Sequence, residues 1–247
     1  MIHTPTLCIV VPCYNEAKNF AFEEYYKFIE RHTEVLICFV NDGSSDDTLN
    51  VINKLKDNFS NRVDIVSYKK NKGKAEAVRE GFNYCFKNYE YKSIAYLDAD
   101  LATSLEECVE LSTLIADDIN FVFGSRIMKI GSIIERNTKR FLIGRVIATF
   151  ISKILGLKVY DTQCGCKIFT KELGSQLFKE KFISKWLFDV ELFKRMLAIY
   201  GKETALKKMI EVPLKKWIDK GDSKVKLTYF FKLWIDLITI NNAYKLK

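Results

Sequence analysis

Ile94-Ala95-Tyr96-Leu97-Asp98-Ala99-Asp100 passes from an apolar run into two carboxylates spaced two residues apart. A short apolar run of this kind reads as a buried β-strand, and the switch to acidic residues marks its end. The same transition occurs twice upstream. Residues 7–11 lead into Pro12-Cys13-Tyr14-Asn15-Glu16, and residues 36–40 lead into Asn41-Asp42-Gly43-Ser44-Ser45-Asp46-Asp47-Thr48. Together with runs at 63–66 and 121–123, these strands alternate with helical-looking segments. That alternation predicts an α/β fold with a mostly parallel, doubly wound sheet and flanking helices. Ligands bind beyond the carboxyl ends of strands in such sheets, so the three polar clusters are expected along one edge. Ser45 and Asp46 read as helix caps. Asp42, Asp98 and Asp100 have no such structural duty.

The chain has 247 residues, 48% of them hydrophobic and 28% charged, without a Pro-, Gly- or Ser-rich linker. One catalytic domain spanning 1–247 is expected. The start of the chain lacks the features of a signal peptide, and no run reaches the roughly 20 apolar residues of a membrane span, so a cytoplasmic protein is expected. Seven cysteines scattered through apolar segments read as reduced core residues. The net charge of +8 is concentrated late: residues 207–247 hold ten lysines and four acids, 10 − 4 = +6. No nucleic-acid motif accompanies this charge, so no nucleic-acid partner is expected; the remaining readings are a solvated surface, phosphate groups or an anionic membrane.

Residues 133–157 carry a long helical pattern in which Arg136, Lys139, Arg140, Arg145 and Lys153 alternate with apolar residues. Residues 187–200 and 228–240 read as two further amphipathic helices. The pair Asp98 and Asp100 suits a hard cation, Mg²⁺ or Mn²⁺, held by carboxylates and completed by substrate phosphates.

Taken in order, V-V-P-C-Y-N-E, V-N-D-G-S-S-D-D-T, N-K-G-K-A-E-A-V-R-E-G, Y-L-D-A-D-L and F-G-S-R resemble the inverting family 2 glycosyltransferases of GT-A fold, from about residue 6 to residue 126. The resemblance implies a nucleotide-sugar half, 1–126, and an acceptor- and membrane-facing half, 127–247. It implies a donor pocket lined by Pro12, Tyr14, Asn15, Glu16, Asp42, Lys74, Asp98 and Ala99, with Asp98 and Asp100 as catalytic metal ligands. Gly73 is expected either to let the backbone approach the nucleotide or simply to start a helix.

The later elements Gly124-Ser125-Arg126, Arg140, Asp161-Thr162-Gln163-Cys164-Gly165 and Trp186-Leu187-Phe188-Asp189 are similar to the branch that glycosylates dolichyl or bacterial polyprenyl phosphate, above all its β-glucosyl-transferring members. By that resemblance Arg126 and Arg140 hold the acceptor phosphate. Ala102-Thr103 after the second aspartate favours a UDP-sugar, UDP-glucose first. The glucosyl branch carries an N-terminal anchor that this sequence does not display, so peripheral contact with the cytoplasmic membrane face is expected through amphipathic surface. Asp189 is a catalytic candidate, with helix capping as its structural alternative. It would be a general base if the acceptor were a saccharide hydroxyl in envelope polysaccharide synthesis, the competing reading. It would only orient groups if the acceptor were a phosphate, already largely dianionic at neutral pH.

Overall fold

The computed structural model describes residues 4–116, 118–220 and 229–244, with the side chains of Lys139, Arg140 and residues 229–231 outside the described set. The five expected strands form as β1 (Leu7–Cys13), β2 (Val35–Asp42), β3 (Val63–Tyr68), β4 (Ser93–Leu97) and β5 (Phe121–Ser125). Two more complete the seven-stranded sheet, β7 (Cys166–Thr170) and β8 (Met209–Pro213), in the order β3-β2-β1-β4-β7-β5-β8. All neighbours are parallel except β7, which runs antiparallel to both β4 and β5. A separate parallel pair joins β6 (Ile133–Glu135) to β9 (Lys216–Ile218).

The period of two along β1 explains the layering. Cys8 and Val10 face one buried cluster while Leu7, Ile9 and Val11 face the other, so both faces of the strand need cover. Helices α1 (Phe22–Arg31), α2 (Thr48–Asn58) and α4 (Leu105–Ser112) supply residues to one face. Helices α3 (Lys74–Asn88), α5 (Thr138–Leu155), α6 (Lys171–Leu177), α7 (Phe188–Tyr200) and α9 (Tyr229–Ala243) supply them to the other; α8 (Lys202–Lys207) adds Ala205. Helix α3 lies so close to the sheet that a Cβ at Gly81 would collide with the methyls of Val10 and Val40.

Two expectations need correction. Residues 133–157 are not one helix. Ile133 and Ile134 pair with Lys216 and Trp217 in the small sheet, and the helix begins only at Thr138 and stops before Gly156, which sits at φ +65. β-branched residues at its start favour the strand. Ser45 does not cap α2: its backbone N–H and hydroxyl donate to Asn15 Oδ1, while Asp46 Oδ1 accepts from the N–H of Thr48 in the first turn.

Candidate active site

The strand order reverses direction at β1, with β2 on one side and β4 on the other, and a crevice opens beyond the carboxyl ends at such a switch point. Registers align those ends: Val10 pairs with Tyr96, and Cys13 pairs with Asn41. The crevice is a cleft of ≈ 430 Å³ into which Pro12, Tyr14, Glu16, Asp42, Lys74, Asp98, Ala99 and Asp100 all converge. Asn15 is the one expected donor residue that does not line it. Its left-handed backbone, φ 53, and its hydrogen bonds to Ser44 and Ser45 instead tie the β1–α1 loop to the β2–α2 loop.

Asp42 holds its own chain. Its carboxylate accepts from the N–H of Lys72 at 2.7 Å, the N–H of Gly73 at 2.8 Å and Asn71 Nδ2 at 2.9 Å. An ionised carboxylate offers about four lone-pair positions, so little capacity is left for a ligand. Burial raises its pKa, opposed by the two backbone N–H groups. Gly73 stands at φ +100 as the N-cap of α3, in line with the helix-start alternative, and it also lines the cleft.

At the floor of the cleft, Lys74 Nζ lies 2.5 Å from Asp98 Oδ1. Burial alone would lower the Lys74 pKa, but Asp98 and then Asp189 raise it. The Asp100 pKa is raised by burial and by the Asp98 charge. Two mutually repelling carboxylates opening onto a roomy cleft are the donor set that suits a divalent cation sharing its remaining positions with a diphosphate. No group of three or more acidic, His or Cys ligands occurs among the described residues. Water and substrate oxygens would complete the coordination of such an ion.

Asp189 is not a helix cap. It lies inside the first turn of α7, 5% exposed, where its Oδ1 accepts from Lys167 Nζ at 2.6 Å and from the Tyr96 hydroxyl. Lys167 is fully buried in β7 and also donates to the Cys164 carbonyl at 2.6 Å. Because β7 is antiparallel to β4, Cys166 pairs with Leu97 and Gly165 is delivered directly beside Asp98. A Cβ at Gly165 would fall on the Asp98 carboxylate, far closer than real Cβ contacts come.

The loop 161–165 leads from Asp98 to a second cavity of ≈ 150 Å³, lined by Arg126, Arg136, Arg145 and Thr162. Glu211 of β8 fixes the start of that loop by accepting from the N–H groups of Tyr160 and Asp161 at 2.9 and 2.7 Å. Arg126 makes a two-pronged pair with Asp161, Nε to Oδ2 at 2.6 Å and Nη2 to Oδ1 at 2.9 Å. Burial pushes the Asp161 pKa up, but the adjacent guanidinium outweighs it and holds the value at about 2. Of the two arginines expected to hold the acceptor phosphate, Arg126 thus lines the cavity already paired, and the side chain of Arg140 lies outside the described residues. Arg136 and Arg145 were not expected there. Nothing in the sequence separated them from the other basic residues of 133–157.

The glycosyl transferase family 2 profile matches residues 8–178. The dolichyl-phosphate beta-glucosyltransferase ALG5C of Trichomonas vaginalis is 32% identical over 94% of this chain and 69% of its own length. The dolichyl-phosphate beta-glucosyltransferase of Homo sapiens is 30% identical over 94% and 78%. Among solved structures, glucosyl-3-phosphoglycerate synthase of Mycobacterium tuberculosis, in complex with Mn²⁺, UDP and glucosyl-3-phosphoglycerate, superposes with a TM-score of 0.68 at 17% identity, covering 97% of this chain and 80% of its own. Mannosyl-3-phosphoglycerate synthase of Rubrobacter xylanophilus also gives 0.68 at 17% identity, over 97% and 73%. These two carry the fold alone.

Proposed function

The chain belongs to glycosyl transferase family 2, and from that premise we propose that it transfers glucose from UDP-glucose to a polyprenyl phosphate, with inversion at the anomeric carbon and with Mg²⁺ or Mn²⁺ bound. The loop 161–165 is the observation that carries the reading. One end packs on Asp98 in the cleft and the other borders the arginine-lined cavity, an arrangement that supports an anionic acceptor beside a nucleotide-diphosphate site. The relatives named for dolichyl-phosphate glucosylation support the choice of donor and acceptor.

In this mechanism an oxygen of the acceptor phosphate forms the new bond to the anomeric carbon. The bond from that carbon to the UDP oxygen breaks, and its electron pair leaves with UDP. Asp98 and Asp100 would hold the metal, which when bound supplies positive charge to the departing diphosphate. Lys74, against Asp98, adds a fixed cation at the same place. Asp42 keeps the loop 71–73 shaped for the nucleotide. The second pKa of a phosphate monoester is about 6, so the nucleophile arrives ionised and needs no base. Asp189, anchored by Lys167 and Tyr96, then orients the floor of the site rather than removing a proton.

The test is a panel of UDP- and GDP-sugars with Mg²⁺ or Mn²⁺ and polyprenyl phosphate, scored for glycolipid extractable into organic solvent. UDP-glucose is expected to give the product. Glycosylation of a soluble saccharide with none of polyprenyl phosphate would sink the reading.

A further inference from the structure

Arg136 stands between β6 and α5 with its Nε and Nη2 atoms buried and without a hydrogen-bond partner among the described residues. A buried donor left unsatisfied is costly, and a charged one more so, which is why native proteins seldom keep one without a use. The guanidinium lies over the ring of Phe141, its Cζ 3.8 Å from the ring centre. It lines the same cavity as Thr162, whose Oγ1 is likewise buried and unpartnered. Arg145 forms another wall, stacked on Tyr160 at 3.5 Å and tethered through one nitrogen to the Tyr160 carbonyl at 2.7 Å. Against these, the acidic groups are Asp161, consumed by Arg126, and Asp219, which has an interaction of its own.

We propose that Arg136, assisted by Thr162 and Arg145, seats the acceptor's phosphate monoester, while Arg126 holds Asp161 and with it the loop 161–165 in place. The inference rests on the acceptor reading above and deepens it. Two free guanidinium N–H donors side by side match two phosphate oxygens, and a hydroxyl donor beside them matches the third. Arg126 has already turned its Nε and one Nη2 hydrogen to Asp161, so its side edge is occupied and the corresponding edge of Arg136 is the open one. The parallel pair β6–β9 has a purpose in this arrangement. It fixes the residue before Arg136 and places Trp217 in the cavity wall, outside the main sheet.

The experiment is calorimetric binding of citronellyl phosphate, a soluble prenyl phosphate, and of inorganic phosphate to the full chain without donor. It compares wild type with Arg136→Gln, Arg136→Lys and Thr162→Val, and follows UDP affinity and melting temperature in parallel. Arg136→Gln is expected to weaken citronellyl phosphate roughly 10- to 100-fold, the loss of a charge-assisted pair. Arg136→Lys should recover part of this, because it restores the charge but not the planar fork. UDP affinity should not move, and the melting temperature should stay level or rise, since an unpaired buried cation has been removed. Citronellyl phosphate binding equally well to Arg136→Gln would overturn the proposal. So would a fall in melting temperature with both ligands weakened together, the mark of a merely structural arginine. Binding of inorganic phosphate through Arg136 without binding of citronellyl phosphate would overturn the assignment to the acceptor. If Arg136→Gln loses citronellyl phosphate as expected while the wild type glucosylates no polyprenyl phosphate, the phosphate seat stands and the proposed function falls.

Discussion

Gly165 shows how a single atom's absence shapes the site. Only a residue without Cβ fits against Asp98, so the carboxylate's position is set by the glycine as much as by its own backbone. On the proposed mechanism Asp98→Asn and Asp100→Asn are expected to abolish transfer, each removing a charged group that would hold the metal where a diphosphate departs. Gly165→Ala should act similarly by displacing Asp98, lowering kcat at least 10-fold with the protein still folded; full activity in all three variants would remove the metal-dependent mechanism. Lys167 poses a different problem. It is a fully buried cation near the start of β7, compensated by Asp189. Removing one partner of such a pair strands the other, so Lys167→Met should cost about 3–5 kcal/mol of stability. A urea titration giving less than about 1 kcal/mol would show that the pair is not what holds β7 to α7. Asp189→Asn keeps the size of the side chain and should retain appreciable transfer to a phosphate acceptor, an outcome read directly from kcat.

Among the elements, those legible in the sequence were the ones whose burial is continuous. β1, β2 and β4 are apolar on both faces, and their carboxyl ends could be read from the abrupt polarity change at Pro12, Asn41 and Asp98. β7 and β8 were not legible as strands because each carries a charge in mid-run, Lys167 and Glu211, whose partners lie far away in sequence. Those two charges position the loop 161–165, so the site's own needs erased the strand signal. The partners of Asp42 and Arg126 were not legible for a related reason: a motif names the residue, but only the fold reveals that Asn71, Lys72 and Gly73 engage the first and Asp161 the second. The Arg126–Asp161 pair joins β5 to that loop and gives a pH signature. The folded pKa of Asp161, about 2, lies below its ordinary value of 3.8. Its stabilisation is therefore complete above about pH 4 and lost as pH falls toward 2, and amounts to on the order of 2 kcal/mol. In urea unfolding, the gap between wild type and Asp161→Asn should be widest near neutrality and shrink below pH 4. A gap that does not change with pH would mean that the pair is not ionised in the fold.

At the scale of the whole molecule, the loop 161–165 links the cleft at Asp98 to the arginine-lined cavity, and α5, which lines that cavity, also carries exposed apolar residues. Helix α5 turns Gly144, Arg145 and Ala148 toward the cavity while Leu142, Ile143, Val146 and Phe150 are exposed. Phe150 meets Trp234 of α9 edge-on at 5.1 Å, and Ile235 and Ile238 extend the same exposed face. No helix among the described residues is long and apolar enough to cross a membrane. An apolar patch backed by a phosphate cavity is the arrangement an enzyme needs if its acceptor has a charged head at the bilayer surface and a tail within the bilayer. The expected contribution of the lysine-rich segment falls partly on residues 221–228 and 245–247, outside the described residues. The two sources of membrane affinity respond differently to conditions. Apolar insertion persists in salt, whereas basic residues near an anionic leaflet contribute about 1 kcal/mol each and fade with screening. Wild type should co-sediment with vesicles containing anionic lipid more than with neutral ones, and 0.5 M salt, roughly five times the ionic strength at which the Debye length is about 10 Å, should reduce the difference. Leu142→Glu combined with Val146→Glu should lower binding to both vesicle types and raise KM for a long-chain polyprenyl phosphate in bilayers, yet leave transfer to citronellyl phosphate in solution unchanged. If the double variant sediments like wild type, this face does not meet the membrane. If it loses transfer to the soluble acceptor as well, the substitutions have disturbed the cavity wall behind them, and the exposed face and the phosphate seat are one structural unit.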